Sequence, residues 1–96
     1  MTDKLSLTEI KAILTKDLPN WEYDSQTNTI QRLFKFENYY KCLAFVNALA
    51  FYAHRKDHHP DLYVTYNTCL VKYSTHSSNG ITKKDIYSAT FANSLA

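Results

Sequence analysis

The chain has 96 residues, a length that suits one domain with a thin core in which about 60 to 65% of the unfolded surface can be buried. Eight Tyr, five Phe and one Trp against one Gly and two Pro leave little material for glycine-rich loops or disordered tails, so a compact chain is expected. Eleven basic and nine acidic residues leave a net charge of +2 with no block of like charge, which gives a nucleic-acid role little footing; the Lys83-Lys84 pair reads as a solvated face.

Cys42 and Cys69 have neither the spacing of a zinc ribbon nor the density of a secreted scaffold, so two reduced, buried thiols are expected. The first residues contain no apolar signal core, and the longest apolar run, 43–53, is interrupted by Asn47 and too short to span a bilayer. A cytoplasmic protein without membrane contact is expected.

Ser6-Leu7-Thr8-Glu9 is a capping box, so a first helix starts there, with Leu5 and Ile10 as its hydrophobic staple. Leu7, Ile10, Ile13 and Leu14 share one face, and Pro19 stops the helix. Residues 21–23 are rich in strand formers and 24–28 form a polar turn. Ile30, Arg32, Phe34 and Phe36 then alternate with Gln31, Leu33 and Lys35, a hairpin pattern in which Arg32 falls on the apolar side and Leu33 on the polar one.

Asn38 can cap a second helix, in which Tyr39, Cys42, Leu43, Val46, Leu49, Ala50 and Ala53 recur at spacings of three and four and should face the sheet. Pro60 breaks the pattern over 56–61 and leaves His58 and His59 on a loop. Runs 63–66 and 69–75 read as two strands joined tightly at Asn67-Thr68, the second ending at His76. Residues 77–80 form a loop in which Gly80 is expected at positive φ. Thr82-Lys83-Lys84-Asp85 repeats the capping box for a third helix, with Ile81 and Ile86 as staple. The class is therefore α+β, in the order α-β-β-α-β-β-α: one domain over 1–96, with a four-stranded antiparallel sheet and three helices on one face.

All four histidines fall between positions 54 and 76, and His58, His59 and His76 sit at loop or strand ends where they can converge on a pocket. Imidazoles around an aromatic-walled cleft exchange protons near neutral pH. Three histidines are also a zinc ligand set, but neighbours on an extended chain point to opposite sides, and no His-Glu-x-x-His spacing occurs, so no metal is expected. His54 ends the second helix, where an imidazolium suits the dipole without any catalytic role. No glycine-rich phosphate loop, nucleophile elbow or close carboxylate pair is present. The residues alone thus yield a histidine site without a substrate.

His58-His59-Pro60, Tyr66-Asn67, Ser74-Thr75-His76, Gly80-Ile81-Thr82 and Asp85, in this order and spacing, resemble the signature of the pterin-4a-carbinolamine dehydratases, and the likeness reaches back through Phe34-Lys35-Phe36 to Trp21. The resemblance implies the same α+β fold, dimers or tetramers, and a site without metal or bound organic cofactor. It implies a lyase of tetrahydrobiopterin recycling, which converts the 4a-hydroxytetrahydropterin left by an aromatic amino acid hydroxylase into quinonoid dihydropterin and water.

By position, His58, His59 and His76 match the family histidines around the pterin. His58 and His76, on separate segments, are assigned the acid and base roles, and His59 holds the substrate. Thr75 and His76 are expected to offer backbone groups to the pterin amide edge. Asp57 is either a carboxylate partner for His58 or His59 or a solvated loop charge. His54 stands where many members have Glu, at the pocket entrance, and Leu62 stands where some have Trp. Asp85 matches the family aspartate, and as the third residue of the capping box its capping role is favoured. The rival reading is a binding protein that stabilises dimers of a transcription factor or regulates a hydroxylase; the intact histidine set favours the enzyme. Neither reading specifies the pterin side chain.

Overall fold

Both capping boxes form. Ser6 Oγ accepts from the Glu9 amide at 3.1 Å while the Ser6 amide donates to Glu9 Oε1 at 2.8 Å, and Thr82 and Asp85 repeat the exchange at the start of the last helix. The computed structural model describes residues 4–96. The elements are α1 (Leu7–Asp17), β1 (Glu22–Asp24), β2 (Thr29–Lys35), α2 (Tyr39–Lys56), β3 (Asp61–Val64), β4 (Thr68–Tyr73) and α3 (Lys83–Leu95), with a 3-10 turn at His76–Ser78. This is the order read from the caps and breakers. β3 and β4 begin one to two residues earlier than expected, because the turn between them is built on Thr65 and Thr68: the Thr65 amide donates to the Thr68 carbonyl at 2.9 Å.

The four strands form one antiparallel sheet in the order β1-β2-β4-β3. Register assigns the faces. Ile30 pairs with Tyr73, Phe34 with Cys69 and Leu62 with Val71, all toward the helices, while Leu33, Leu70 and Tyr63 line up on the open face. Arg32 does lie on the helix side, as the alternation indicates. Its Nη1 donates to Asn93 Oδ1 at 2.7 Å, an acceptor shared with Trp21 Nε1 at 2.9 Å, and its guanidinium covers the Phe34 ring at 4.3 Å.

Ile10 and Leu14 of α1, Cys42, Phe45 and Leu49 of α2, and Ala89 and Ala92 of α3 close over Trp21, Ile30, Phe34, Cys69, Val71, Tyr73 and Ile81. The buried row of α2 differs from the expected stripe: Tyr39 and Ala50 are exposed, whereas Phe45 is buried and packs on Phe34 at 4.7 Å between ring centroids. Several spacings of three and four coexist on this apolar helix, and the phenylalanines of the sheet select among them. Leu7 is likewise exposed, since α1 meets the core only through the row below it.

Burial pushes the Cys69 thiol up to about 11 from its ordinary 9.0, with Cys42 adding to the rise. It also raises the fully buried Tyr73 hydroxyl, an effect that Ser88 moderates from nearby although Tyr73 Oη has no hydrogen-bond partner. Both groups stay neutral in the fold and ionise first in the unfolded chain. Their contribution is therefore complete below about pH 9 and is lost as pH rises through the folded values. Urea unfolding at pH 8 and pH 10.5 should show a loss of about 2 kcal/mol at the higher pH. Tyr73→Phe should cost little at pH 8 and reduce that loss; equal stability of the wild-type protein at both pH values would contradict this account.

Candidate active site

The end of α2 places the first histidine. Asp57 adopts the left-handed conformation (φ 51°), its amide donates to the carbonyls of Ala53 and His54, and the His58 amide donates back to Ala53 at 3.1 Å. This Schellman-type closure ends the helix before Pro60 can. It turns the His58 side chain inward, to 10% exposure, and leaves His59 exposed. The imidazole lies parallel to the Tyr73 ring, with centroids 5.8 Å apart.

The second histidine follows β4. The strand proper ends at Tyr73, and Thr75 then bridges Gly80 around the 3-10 turn that begins at His76. Asn79, at φ 52°, takes the left-handed conformation expected of Gly80, which has no positive φ. A Cβ there would come within 2.7 Å of Cε of Lys4, the far end of a flexible side chain that can move aside. The Thr75 amide donates to the Gly80 carbonyl, and its own carbonyl accepts from Ser78 and Gly80. The Thr75 backbone is therefore already engaged within the chain.

Asp85 joins these segments. Fully buried at the third position of α3, it accepts on Oδ2 from the Thr82 amide at 2.9 Å and from Thr75 Oγ1 at 2.8 Å, while Oδ1 lies 2.6 Å from His58 Nε2. Because the Thr75 hydroxyl donates to Asp85, the 2.7 Å contact between Thr82 Oγ1 and Thr75 Oγ1 has Thr82 as donor. The capping role expected of Asp85 is present, and it occupies one carboxylate oxygen only. The other holds His58, a function the capping motif does not reveal. Asp57, weighed as a histidine's partner, is exposed and makes no such bond among the described residues.

His58, His59, His76, Thr75 and Asp57 all border one cavity of about 410 Å³, together with Lys84, a residue expected on a solvated face. His54, expected at the entrance, is exposed on the last turn of α2 and does not line it. Among the described residues no group of three or more His, Cys, Asp or Glu is gathered to hold a metal ion, and no helix is long and apolar enough to cross a membrane. The cavity is a mixed polar cleft in which two imidazoles on different segments, one backed by a buried carboxylate, can meet a planar polar molecule.

Residues 3–95 match the family model described as pterin 4 alpha carbinolamine dehydratase. The chain belongs to this family. A protein of Xylella fastidiosa strain M23, provisionally named a pterin-4-alpha-carbinolamine dehydratase, is 44% identical over 92 residues, 96% of this chain and 78% of that one. A relative of the same provisional name in Xanthomonas campestris pv. campestris strain B100 is 48% identical over 84 residues, 88% of this chain and 71% of its own. The crystal structure of a protein described as a transcriptional coactivator/pterin dehydratase from Brucella melitensis superposes with a TM-score of 0.93 at 34% identity, covering 98% of this chain and 99% of that one. A pterin dehydratase-like protein described as a RuBisCO assembly factor of the alpha-carboxysome shares the fold, with a TM-score of 0.70 at 18% identity over 80% of this chain and 89% of that one.

Within this family fold, the buried Asp85 network is open to a direct test of stability. Asp85→Asn replaces an acceptor of three hydrogen bonds with a group that must present an amide to one of them. It should lower unfolding free energy by about 2–4 kcal/mol in urea titrations; a loss below about 0.5 kcal/mol, within the range of an ordinary surface substitution, would mean the network contributes no stability.

Proposed function

We propose that the chain is a 4a-hydroxytetrahydropterin dehydratase acting in tetrahydrobiopterin recycling in the cytoplasm, with His58 and His76 as its proton-transfer pair. The observation that carries this reading is the Asp85–His58 contact facing a cavity that His76 also borders. The reaction expels the 4a-hydroxyl as water and removes the proton on the adjacent ring nitrogen, giving quinonoid dihydropterin. It needs one group that gives a proton and one that takes it.

Asp85 supports a division of these roles. With Oδ2 filled by two donors, Oδ1 is an acceptor for an Nε2–H of His58, and this tautomer leaves the Nδ1 lone pair for the substrate. His58 is then the base that receives the ring-nitrogen proton, and the exposed His76 is the acid for the departing hydroxyl. His59 holds the substrate. Thr75 serves through its hydroxyl, as a support for Asp85, rather than through its backbone. Asp57 contributes charge at the rim; His54 lies outside the cavity lining and is assigned no substrate contact.

A second reading is favoured by the Brucella relative, whose description pairs coactivator with dehydratase: a role as binding partner of a transcription factor or of an aromatic amino acid hydroxylase. Self-association belongs to both readings. Tyr40 and Phe51 stand exposed on α2 at 80% and 65%, with Ala44 and Ala48 between them on the same face, a pattern of projections and hollows that a second copy can match. Sedimentation of the purified protein should show a dimer or larger; a strict monomer at micromolar concentration would remove this part of the proposal.

The rate of dehydration of freshly generated 4a-hydroxytetrahydropterin, compared with the spontaneous rate, tests the enzyme. His58→Ala and His76→Ala should each lower the enzymatic rate by about 10²- to 10⁴-fold. Near-normal turnover in both variants would overturn the assignment, and no acceleration by the folded wild-type protein would favour the binding role.

A further inference from the structure

The capping boxes of α1 and α3 use the same residue types in different surroundings. Ser6 and Glu9 close the first on the exposed surface, where a cap has only to supply an acceptor for a free amide. Thr82 and Asp85 close the second without solvent contact. Thr82 Oγ1 accepts from the Lys84 amide at 3.2 Å, which meets the need of the helix and leaves the hydroxyl hydrogen to be placed in the interior. It goes to Thr75 Oγ1 at 2.7 Å, since the Thr75 hydrogen is already committed to Asp85 Oδ2 at 2.8 Å.

We propose that Thr82 is a positioning residue for His58: its hydroxyl is the first donor of a one-way chain, Thr82 to Thr75 to Asp85, that sets how strongly the carboxylate holds the imidazole. This rests on the pterin reading above and adds a residue to its machinery.

Every link of the chain points toward the carboxylate. Donation by Thr82 polarises the Thr75 hydroxyl and makes it a better donor, and the Thr82 amide adds a second donor to the same oxygen at 2.9 Å. Negative charge is thereby drawn toward Oδ2 and away from Oδ1, which lies 2.6 Å from His58 Nε2. Thr82 and Asp85 are fully buried and Thr75 is 3% exposed, so water does not compete for these groups and each link counts for more than it would at the surface. Thr82 is not among the residues that border either cavity shared by His58. It therefore acts on a ligand there only through the chain.

Other charged groups surround His58. Asp57, Asp61, Lys84, His59 and His76 share the cleft with it. Lys56, Tyr52 and Tyr87 share the neighbouring cavity, and Tyr73 lies beneath its ring. None of these side chains is a link between Thr82 and Asp85, so a change confined to the Thr82 hydroxyl leaves them in place.

The test reads the proton NMR signal of the His58–Asp85 hydrogen bond in the intact protein, beside the pH profile of kcat/KM for dehydration of 4a-hydroxytetrahydropterin. Thr82→Val keeps the shape and deletes the donor. With Oδ2 less engaged, the carboxylate pulls harder on Nε2–H, so the signal should move downfield. The acid limb of the profile should rise by about 0.3 pH units, the size expected of a change of about a fifth in one charge-assisted bond. Thr75→Val, one link closer to Asp85, should move both readouts further in the same direction, by roughly one pH unit in the profile, and it serves alone if Thr82→Val does not fold. Thr82→Ser keeps the hydroxyl and should restore both. Ser6→Ala removes a cap remote from the cleft and should move neither. A stationary signal in Thr82→Val, or an equal movement in Ser6→Ala, would overturn the proposal, while dehydration by the same wild-type preparation would leave the pterin reading standing. A signal that moves as expected in a protein that does not accelerate dehydration would overturn the pterin reading and leave the chain of donors.

Discussion

A carboxylate without solvent contact has to be satisfied inside the protein, and the arrangement of this domain around Asp85 follows from that requirement. Its two oxygens collect the amide that opens α3, the hydroxyl of Thr75 beyond β4 and the imidazole that follows α2. The start of α3, the turn after β4 and, 27 positions away, the end of α2 are thereby held to one point. A buried carboxylate with fewer partners would carry a desolvation cost of several kcal/mol, so each of the three contacts restrains the others. The same group that caps a helix thus sets the orientation of a candidate catalytic histidine, and stability and function share one set of bonds.

The backbone around that point is shaped by two left-handed residues that are not glycines. Asp57 closes α2 and directs His58 inward and His59 outward; Asn79 closes the 3-10 turn that presents His76. Asp and Asn tolerate this conformation better than most side chains, because their short polar groups hydrogen-bond locally. The helices and the sheet thus supply a rigid frame, and two single-residue reversals at its edge aim the histidines into a common space. Tyr73 completes the frame from below: its ring supports the His58 imidazole, while its hydroxyl is left without a partner in the core.

The surroundings of the histidines carry both signs of charge. Asp57, Asp61 and Lys84 border the cleft itself, and Lys84 with Lys56 borders the neighbouring cavity between α2 and α3. What the cleft binds depends on how these charges meet a ligand, since Coulombic forces act over longer distances than hydrogen bonds. The family fold itself leaves this open. The Brucella and alpha-carboxysome relatives share the fold under quite different descriptions, so the side chains bordering the cleft, rather than the architecture, carry the information about what is bound.

The order of elements is legible along the chain because caps and breakers act locally: Ser6 with Glu9, Asn38, and Thr82 with Asp85 start helices through bonds to residues two or three positions away. The sequence also brings the three histidines to notice, and resemblance to a family attaches a substrate class to them. Packing settles which apolar row of α2 is buried, since that choice depends on phenylalanines of the sheet, and which residue near Gly80 turns left-handed, since Gly80 is held in an extended bridge with Thr75 and the reversal falls on Asn79. The partner of His58 was likewise beyond local reading. Asp57 is adjacent in sequence yet exposed to solvent, while Asp85, 27 positions away, is buried against the imidazole; long-range contacts of this kind arise from packing of the sheet and helices, which no spacing along the chain encodes.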